Sequence, residues 1–579
     1  MTILEYQTAT IITIITITEN GNALRPALSR AHPPTPVFFA ARSLFNLTSL
    51  FVGSQSAFVK YTGRCVGTGY STADAKGYIP NQDVMGDDVM GFLENLVTVF
   101  PSLRHRPLFI LGESYAGKYI PYIAKRYFAR EPHHRPVKLG GISMADGVMS
   151  DDGSLSAGMV QAIETYPQLI NYDPEVYSYF REQQHLCGYD INISYPQKGG
   201  PFPTLRPPLL KAGDQTINIY LTPKLRSHEL FRHKKSALQT MKDVVPDDHE
   251  EKKAQFHFEI SQHQDNNDRA AALSEWKAQR GLPGRGNGVI DPYYECDLYA
   301  ELVDWAVNFT EPWSTQPDPK AGVDPYDIPD ATSPEPPQDA SPMLNDPRTV
   351  RAIHAPQSKC WRETFGCRFS YPFGSNIDAG EVPNTNQWGD PSPATTTFLS
   401  DLFHNISLIN GKVIVSEGND DLIITARTMI IAIQNVTFGG IQGFSMEPGT
   451  AWYGDDGSFA GVVHQERGVT YVLFLAAGHL TAMWQPSRYH TFVKEFILGN
   501  NRNGTIGADG QLIGDKHKLF NGYNLPGDRN PIFTGSGATQ GSTVWPSATI
   551  DAWESFIRTA SAPIGTETET ETYNKHEEL

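Results

Sequence analysis

The chain has 579 residues, of which 40% are hydrophobic, and its formal net charge is -17 at pH 7. That acidic balance argues against nucleic acid or an anionic membrane surface as a partner. No apolar stretch reaches the ~20 residues that a membrane span needs. The five cysteines form no Cys-x-x-Cys pair, so we expect no structural zinc site.

Glycosylation signals favour a protein of the secretory route. N-x-[ST] sequons occur at Asn46, Asn192, Asn308, Asn405, Asn435 and Asn503. The N-terminal "ATIITIITIT" (9–18) is apolar but rich in threonine, and it lacks a basic flank and a small-residue cleavage site. We therefore do not interpret it as a signal peptide. The body of the chain indicates export, whereas its first residues carry no export signal.

Residues 85–185 alternate between strand and helix patterns. In chain order, we predict a helix at "VMGFLENLVTVF" (89–100), a buried strand at "PLFIL" (107–111), a helix at "YIPYIAKRYFAR" (119–130) and a strand at "VKLGGISMAD" (137–146). Pro121 fits an early turn of the second helix. This rhythm predicts an α/β protein with a mostly parallel central sheet covered by helices.

A different composition separates this region from a second strand-rich one. Residues 186–375 are charged and Pro-rich, with a polar helical stretch at 234–264 and the connector "DPYDIPDATSPEPPQDASP" (324–342). Strands return at "KVIVSEG" (412–418) and "TYVLFLAAGH" (470–479). We predict a first core part at 1–185, an inserted cap at 186–375, a second core part at 376–500 and a partly disordered extension at 501–579.

Three of the predicted strands each lead into a residue of catalytic type. "PLFILGES" ends on Ser114, "KVIVSEGNDD" ends on Asp420 or Asp421, and "TYVLFLAAGH" ends on His479. In a parallel sheet such loops gather at one edge. Each residue alone is more often structural: a turn serine, a helix-capping aspartate or a packed histidine. Together, in the order Ser, Asp, His, they predict a hydrolase in which the histidine activates the serine.

Longer motifs resemble one family. "GESYAGKYIPYIA" is similar to the nucleophile motif of the serine carboxypeptidases, and "VGTGYST", "VSEGNDDLIIT" and "AAGHLTAMWQP" resemble further blocks of that family. "TYPQLINYDPEVYSYFREQQHLCGYDINISYPQ" resembles its fungal branch, and the likeness covers roughly residues 19–560. The resemblance implies an α/β-hydrolase fold and the release of C-terminal residues from peptides at acid pH, without metal or cofactor. The spacing from Gly418 selects Asp421.

The resemblance also implies a role for each of these residues. Ser114 would form the acyl-enzyme, His479 would act as base and then acid, and Asp421 would orient His479. The backbone N–H of Tyr115 would donate to the oxyanion.

Substrate binding is implied at two glutamates. Glu113 would bind the terminal carboxylate of the substrate together with Glu19 of "TENGNAL". Two such carboxyls can share a proton, and their ionisation at higher pH would repel the substrate.

Three departures from the family pattern stand out. The Gly-Gly-Pro-Gly segment that supplies the second oxyanion N–H is not found before Glu19, and "VGSQSAFVKYTGRC" (52–65), which contains Cys65, is foreign to the pattern. We hypothesise that the sequence is a misassembled gene model in which the Ser-Asp-His triad is intact.

The histidine loop also departs from the family pattern. Thr481-Ala482 replaces the usual Val-Pro and is expected to loosen this loop. The remaining family cysteines suggest a bridge between Cys187 and Cys296.

Two alternatives stay open at this stage. The same fold could carry an esterase or an acyltransferase, or the chain could be a non-catalytic relative. The favoured interpretation is a secreted or vacuolar serine carboxypeptidase that acts on peptides or proteins, with no nucleic-acid or membrane partner.

Overall fold

A computed structural model describes residues 13–16, 81–150, 152–203, 288–313, 323–330, 343–352, 392–514 and 532–560, with short gaps in some of these ranges and a few single residues between them. Glu19, the 52–65 segment and the 234–264 stretch lie outside the described residues, so the predictions made for them stay predictions.

A nine-stranded sheet forms the centre of the described fold. The strands are β1 Thr13–Thr16, β2 Pro107–Glu113, β3 Lys138–Ala145, β4 Lys412–Gly418, β5 Thr437–Phe438, β6 Ile441–Gln442, β7 Thr450–Tyr453, β8 Phe459–Glu466, β9 Val469–Phe474, β10 Thr505–Ile506, β11 Leu512–Ile513, β12 Ile532–Thr534 and β13 Gly541–Thr543. The order in the sheet is β1-β2-β3-β4-β9-β8-β10-β11, with β7 paired to β8. Its four central strands β2, β3, β4 and β9 are mutually parallel, which confirms the predicted α/β class with a parallel centre.

Helices cover the sheet. They are α1 Gln82–Val99, α2 Ala116–Phe128, α3 Met159–Thr165, α4 Pro174–Leu186, α5 Leu298–Phe309, α6 Pro347–Ala352, α7 Leu399–Leu408, α8 Ala426–Gln434, α9 Thr481–Trp484, α10 Pro486–Phe492 and α11 Ser547–Ala560, with a π-helix at Val493–Leu498. None of the helices in the described ranges is long and apolar enough to cross a membrane.

The central strands are buried on both faces, which explains their nearly continuous apolar sequences. In β2, Leu108 and Ile110 pack on one side with α1, α2, α7 and α8. Phe109 and Leu111 pack on the other side with Trp452 and the helices after β9. Each fully buried side chain of this kind contributes roughly 1.5–3 kcal/mol. The sheet is thus held between two apolar layers.

A second apolar core lies apart from the sheet. It combines α3, α4 and α5 with the C-terminal helix α11. Trp553 of α11 contacts the rings of Tyr172 and Tyr177 edge-on. Part of the predicted C-terminal extension is therefore an ordered helix that packs on this core, while residues 561–579 lie outside the described residues. The predicted domain boundaries stay predictions.

The suggested disulfide is confirmed. Cys187 follows α4 directly, and its sulfur bonds to that of Cys296, shortly before α5. The bridge connects two helices of the second core and closes a loop with a sequence separation of 109 residues.

We expect the bridge to be a main source of stability for the second core. Replacing both Cys187 and Cys296 by Ala should lower the free energy of unfolding by about 2–5 kcal/mol, because a cross-link over a long loop restricts the unfolded chain. Urea denaturation with and without a reductant measures the change. The double variant should no longer respond to the reductant, and an unchanged midpoint in the variant would contradict the expectation.

Candidate active site

Ser114 lies on a strained turn between β2 and α2. Its φ of 63° is in the left-handed region, which is uncommon for a residue other than glycine. Its N–H donates to the Ala145 carbonyl at 2.9 Å, and its own carbonyl accepts from the N–H groups of Gly117 and Val148 at 3.0 Å each. These bonds hold the turn in place, so Ser114 stands at the carboxyl end of the sheet, as in a nucleophile elbow.

Close packing explains the small residues after the serine. A Cβ added to Gly117 would lie 2.6 Å from the backbone nitrogen of Val148, so no larger residue fits without moving the turn. Helix α2 begins at Ala116, three residues earlier than predicted. Pro121 therefore lies inside the helix and not in its first turn, a difference that follows from the tight turn at Ser114.

Asp421 and His479 form a buried hydrogen-bonded pair. The Nδ1 atom of His479 lies 2.7 Å from Oδ2 of Asp421, and both side chains are buried. The other Asp421 oxygen, Oδ1, accepts from the N–H of Ile423 at 2.7 Å. Asp420 points elsewhere and accepts from the Tyr166 hydroxyl. The structure therefore pairs His479 with the aspartate that the family spacing selects, and leaves Nε2 as the ring nitrogen for chemistry.

The charge of Asp421 stabilises the protonated histidine. Burial alone lowers the pKa of His479, but the charge and the hydrogen bond of Asp421 raise it overall to about 9. The carboxylates of Asp146 and Glu113 act in the same direction. The state of these neighbouring acids therefore decides how readily His479 gives up its proton.

A segment of the predicted connector bonds to both the loop that carries Asp421 and the loop that carries His479. The carbonyls of Pro325 and Tyr326 accept from the N–H groups of Leu422 and His479 at 3.0 and 2.7 Å, and the N–H of Ile328 donates to the Asp420 carbonyl at 3.0 Å. The Tyr326 ring also meets the His479 ring edge-on, with centroids 5.2 Å apart. Residues 323–330 are thus part of the site, which the Pro/Asp-rich composition did not indicate.

Glycines permit this close approach. A Cβ on Gly418 would overlap the carbonyl oxygens of Ala477 and Gly478, and one on Gly478 would overlap that of Tyr326. The N–H of Asp420 donates to the Ala477 carbonyl at 2.9 Å. The loop after β4 therefore packs directly against the loop after β9.

The structure places two of the three other predicted site residues next to Ser114. Glu113 is the last residue of β2 and is half-buried. Tyr115 is the N-cap of α2, so its backbone lies at the positive end of that helix. Glu19 lies outside the described residues.

Sequence reasoning missed two acids at the same edge. Asp146 follows β3 directly, and Glu417 is the penultimate residue of β4. One polar atom each of Asp146, Asp421 and His479 lies within 4.8 Å of the others. The rule that located Ser114, a polar residue just after a buried strand, would also have found Asp146. We assign this cluster no metal, because His479 Nδ1 and Asp421 Oδ2 bond to each other and Asp146 Oδ1 accepts from the Gly418 amide.

Known proteins share this sequence pattern. Residues 55–188 match the family model described as serine carboxypeptidase. A pheromone-processing carboxypeptidase of Podospora anserina is 24% identical over 475 residues, which are 80% of this chain and 62% of that protein. A carboxypeptidase Y homolog of Arthroderma benhamiae is 24% identical over 80% of each chain. The chain thus spans less than two thirds of the length of the Podospora relative.

A solved structure also matches the chain. It is a prohormone-processing carboxypeptidase from Saccharomyces cerevisiae, aligned with a TM-score of 0.43 at 15% identity over 79% of this chain and 77% of the other.

We predict that Asp421 is the main cause of the raised histidine pKa. Asp421→Asn should bring the His479 pKa from about 9 down by at least roughly one unit, because the carboxylate charge is lost while burial remains. NMR titration of ring-labelled histidines measures it, with the signal assigned through His479→Gln.

Asp420→Asn is the matched control for this titration. It removes a neighbouring buried carboxyl that bonds to Tyr166 and not to the histidine. Equal shifts in the two variants would contradict the assignment.

Proposed function

We propose that this chain, which belongs to the serine carboxypeptidase family, releases single C-terminal residues from peptides through an acyl-enzyme on Ser114. One observation carries the proposal. Ser114 stands in a strained turn at the same sheet edge as the buried Asp421–His479 pair. The family supplies the substrate class, and the geometry supplies the groups for nucleophilic attack.

The reaction follows from these positions. The Nε2 atom of His479 takes the Ser114 hydroxyl proton as the oxygen attacks the scissile carbonyl, and Asp421 stabilises the imidazolium that forms. The backbone N–H of Tyr115, at the N-terminus of α2, donates to the developing oxyanion. The imidazolium then protonates the leaving amine, and a water molecule activated in the same way releases the shortened peptide.

Acid pH favours substrate binding in this scheme. A protonated Glu113 would donate to the terminal carboxylate of the substrate, whereas an ionised Glu113 would repel it. The family pattern adds Glu19 as a carboxyl that would share this proton, a role that stays a prediction. The Glu113 charge also contributes to the raised pKa of His479. Protonating Glu113 therefore makes His479 easier to deprotonate, which offsets part of the loss of free imidazole as pH falls.

We further propose that the protein is secreted or vacuolar and glycosylated. The Cys187–Cys296 disulfide is typical of oxidising compartments. Asn192 is exposed and available for a glycan. Asn435 Oδ1 accepts from Phe202 N–H at 2.7 Å and Asn503 Nδ2 donates to the Ala451 carbonyl at 2.8 Å, so these two sequons are poorer acceptor sites.

Turnover of matched peptides tests the activity. The protein should hydrolyse an N-acylated dipeptide with a free C-terminal carboxylate. It should hydrolyse the same dipeptide with an amidated C-terminus at a much lower rate. Ser114→Ala should lower kcat by at least about 10³-fold, because the nucleophile is lost. Ser178→Ala, an exposed serine of α4 that belongs to no sequon, is the control.

The same assay separates the alternatives. Equal hydrolysis of the free acid, the amide and a simple ester would indicate an esterase. Acyl products on an added amine or alcohol would indicate a transferase. A folded protein that neither turns over nor reacts with an organophosphonate at Ser114 would be non-catalytic.

Glu113 should set the alkaline decline of activity. Glu113→Gln keeps a hydrogen-bond donor at every pH, so we expect KM to rise much less between pH 5 and pH 7 than in the unaltered protein. The exposed Glu131→Gln serves as the control. An unchanged rise of KM in Glu113→Gln would exclude Glu113 from carboxylate binding.

A further inference from the structure

We propose that Asp146 and Glu417 form a proton-sharing carboxyl pair that tunes the basicity of His479 and positions the loop bearing Asp421. The effect on catalysis rests on the proposed function, but the pair itself does not.

Strand register brings the two carboxyls together. Ala145 of β3 lies opposite Ser416 of β4, and the next residue, Asp146, donates its N–H to the Ser416 carbonyl at 2.8 Å. Asp146 thus lies beside Glu417, and both side chains are fully buried. The φ of Asp146 is 45°, a left-handed value that turns the chain at this point.

Asp146 also contacts the loop that carries Asp421. Its Oδ1 accepts from the N–H of Gly418 at 2.8 Å. Gly418 ends β4 and starts the turn to Asp421. Asp146 is therefore a positioning residue, since it fixes the start of the turn from which Asp421 reaches His479.

The pair needs a proton to be stable. If both groups were ionised, Asp146 Oδ2 and both Glu417 oxygens would be buried without a well-formed hydrogen bond among the described residues. One shared proton allows one carboxyl to donate to the other. Burial raises the pKa of both groups well above the usual range of a carboxyl. Asp146 accepts from the Gly418 amide, and Glu417 has no comparable donor among the described residues. We therefore assign the charge to Asp146 and the proton to Glu417.

The charge on Asp146 acts on the histidine. Asp146, Asp421 and His479 each place a polar atom within 4.8 Å of the others, a range in which an opposite charge favours the imidazolium. Other titratable groups face this cluster from the elements packed against it: Glu113 of β2, Tyr471 of β9, Tyr489 of α10, Tyr299 of α5, and Tyr326 and Asp327 of the 323–330 segment. The tyrosines are neutral at acid pH, and burial raises the pKa of Asp327 well above its usual range. The charges that act on His479 are those of Asp421, Asp146 and Glu113.

Two near-isosteric variants separate the two carboxyls. In Asp146→Asn, the amide oxygen can still accept from Gly418 and the amide nitrogen can donate to Glu417, but the charge beside His479 is gone. The His479 pKa, read by NMR titration, should fall by roughly one unit or more. The acid limb of kcat/KM should move to lower pH by the same amount. In Glu417→Gln, the new amide donates to a charged Asp146, so both readouts should shift by less than about half a unit.

A stability measurement tests the shared proton without activity. A carboxyl whose pKa is raised in the folded state makes folding less favourable as pH rises above its unfolded value, here 4.5 for Glu417. As pH rises above 4.5, the free energy of unfolding of Glu417→Gln should therefore increase relative to that of the unaltered protein. Parallel stability profiles would overturn the proton-sharing pair, even if Asp146→Asn failed to fold.

The outcomes distinguish this inference from the proposed function. Equal shifts of the His479 pKa in Asp146→Asn and Glu417→Gln, or none in either, would overturn the inference. A shift in Asp146→Asn alone supports it, even if no peptide is hydrolysed. Asp401→Asn, which removes one exposed charge from α7, is the control for net charge.

Discussion

The parallel register of β2, β3, β4 and β9 is the constraint on which the site depends. Parallel strands end at the same edge, so residues that are distant in sequence meet there without any long-range pairing of their own. Ser114, Asp146, Asp421 and His479 all follow the ends of these strands. Backbone bonds between neighbouring strand ends, such as Ser114 N–H to the Ala145 carbonyl, extend the register into the turns.

This edge concentrates negative charge in a buried place. An isolated buried carboxylate is costly, so each acid needs a proton, a donor or a cation. Asp421 has the Ile423 amide and the His479 ring, and Asp146 has the Gly418 amide. Among the described residues, Glu417 has no comparable donor, so a proton is the simplest way to neutralise its charge. The arrangement couples the acids to one another and to the histidine.

Residues 323–330, which lie within the predicted cap, take part in the site itself. Backbone groups of residues 323–330 bond to the loops of both Asp421 and His479, while Tyr166 bonds to Asp420. The Asp421–His479 pair is therefore held between the sheet and the second core. The disulfide and α11 stabilise that core, so they support the site from a distance.

The sequence by itself determined the parallel centre and its cover of helices, because continuous apolar strands and helical spacing are local features. The likeness to a family motif selected Asp421 over Asp420. Only the tertiary structure decided that Asp146 and Glu417 meet, because their contact depends on the register of strands more than 250 residues apart. It also brought residues 323–330 to the site, since their contacts are made by backbone groups that every sequence carries.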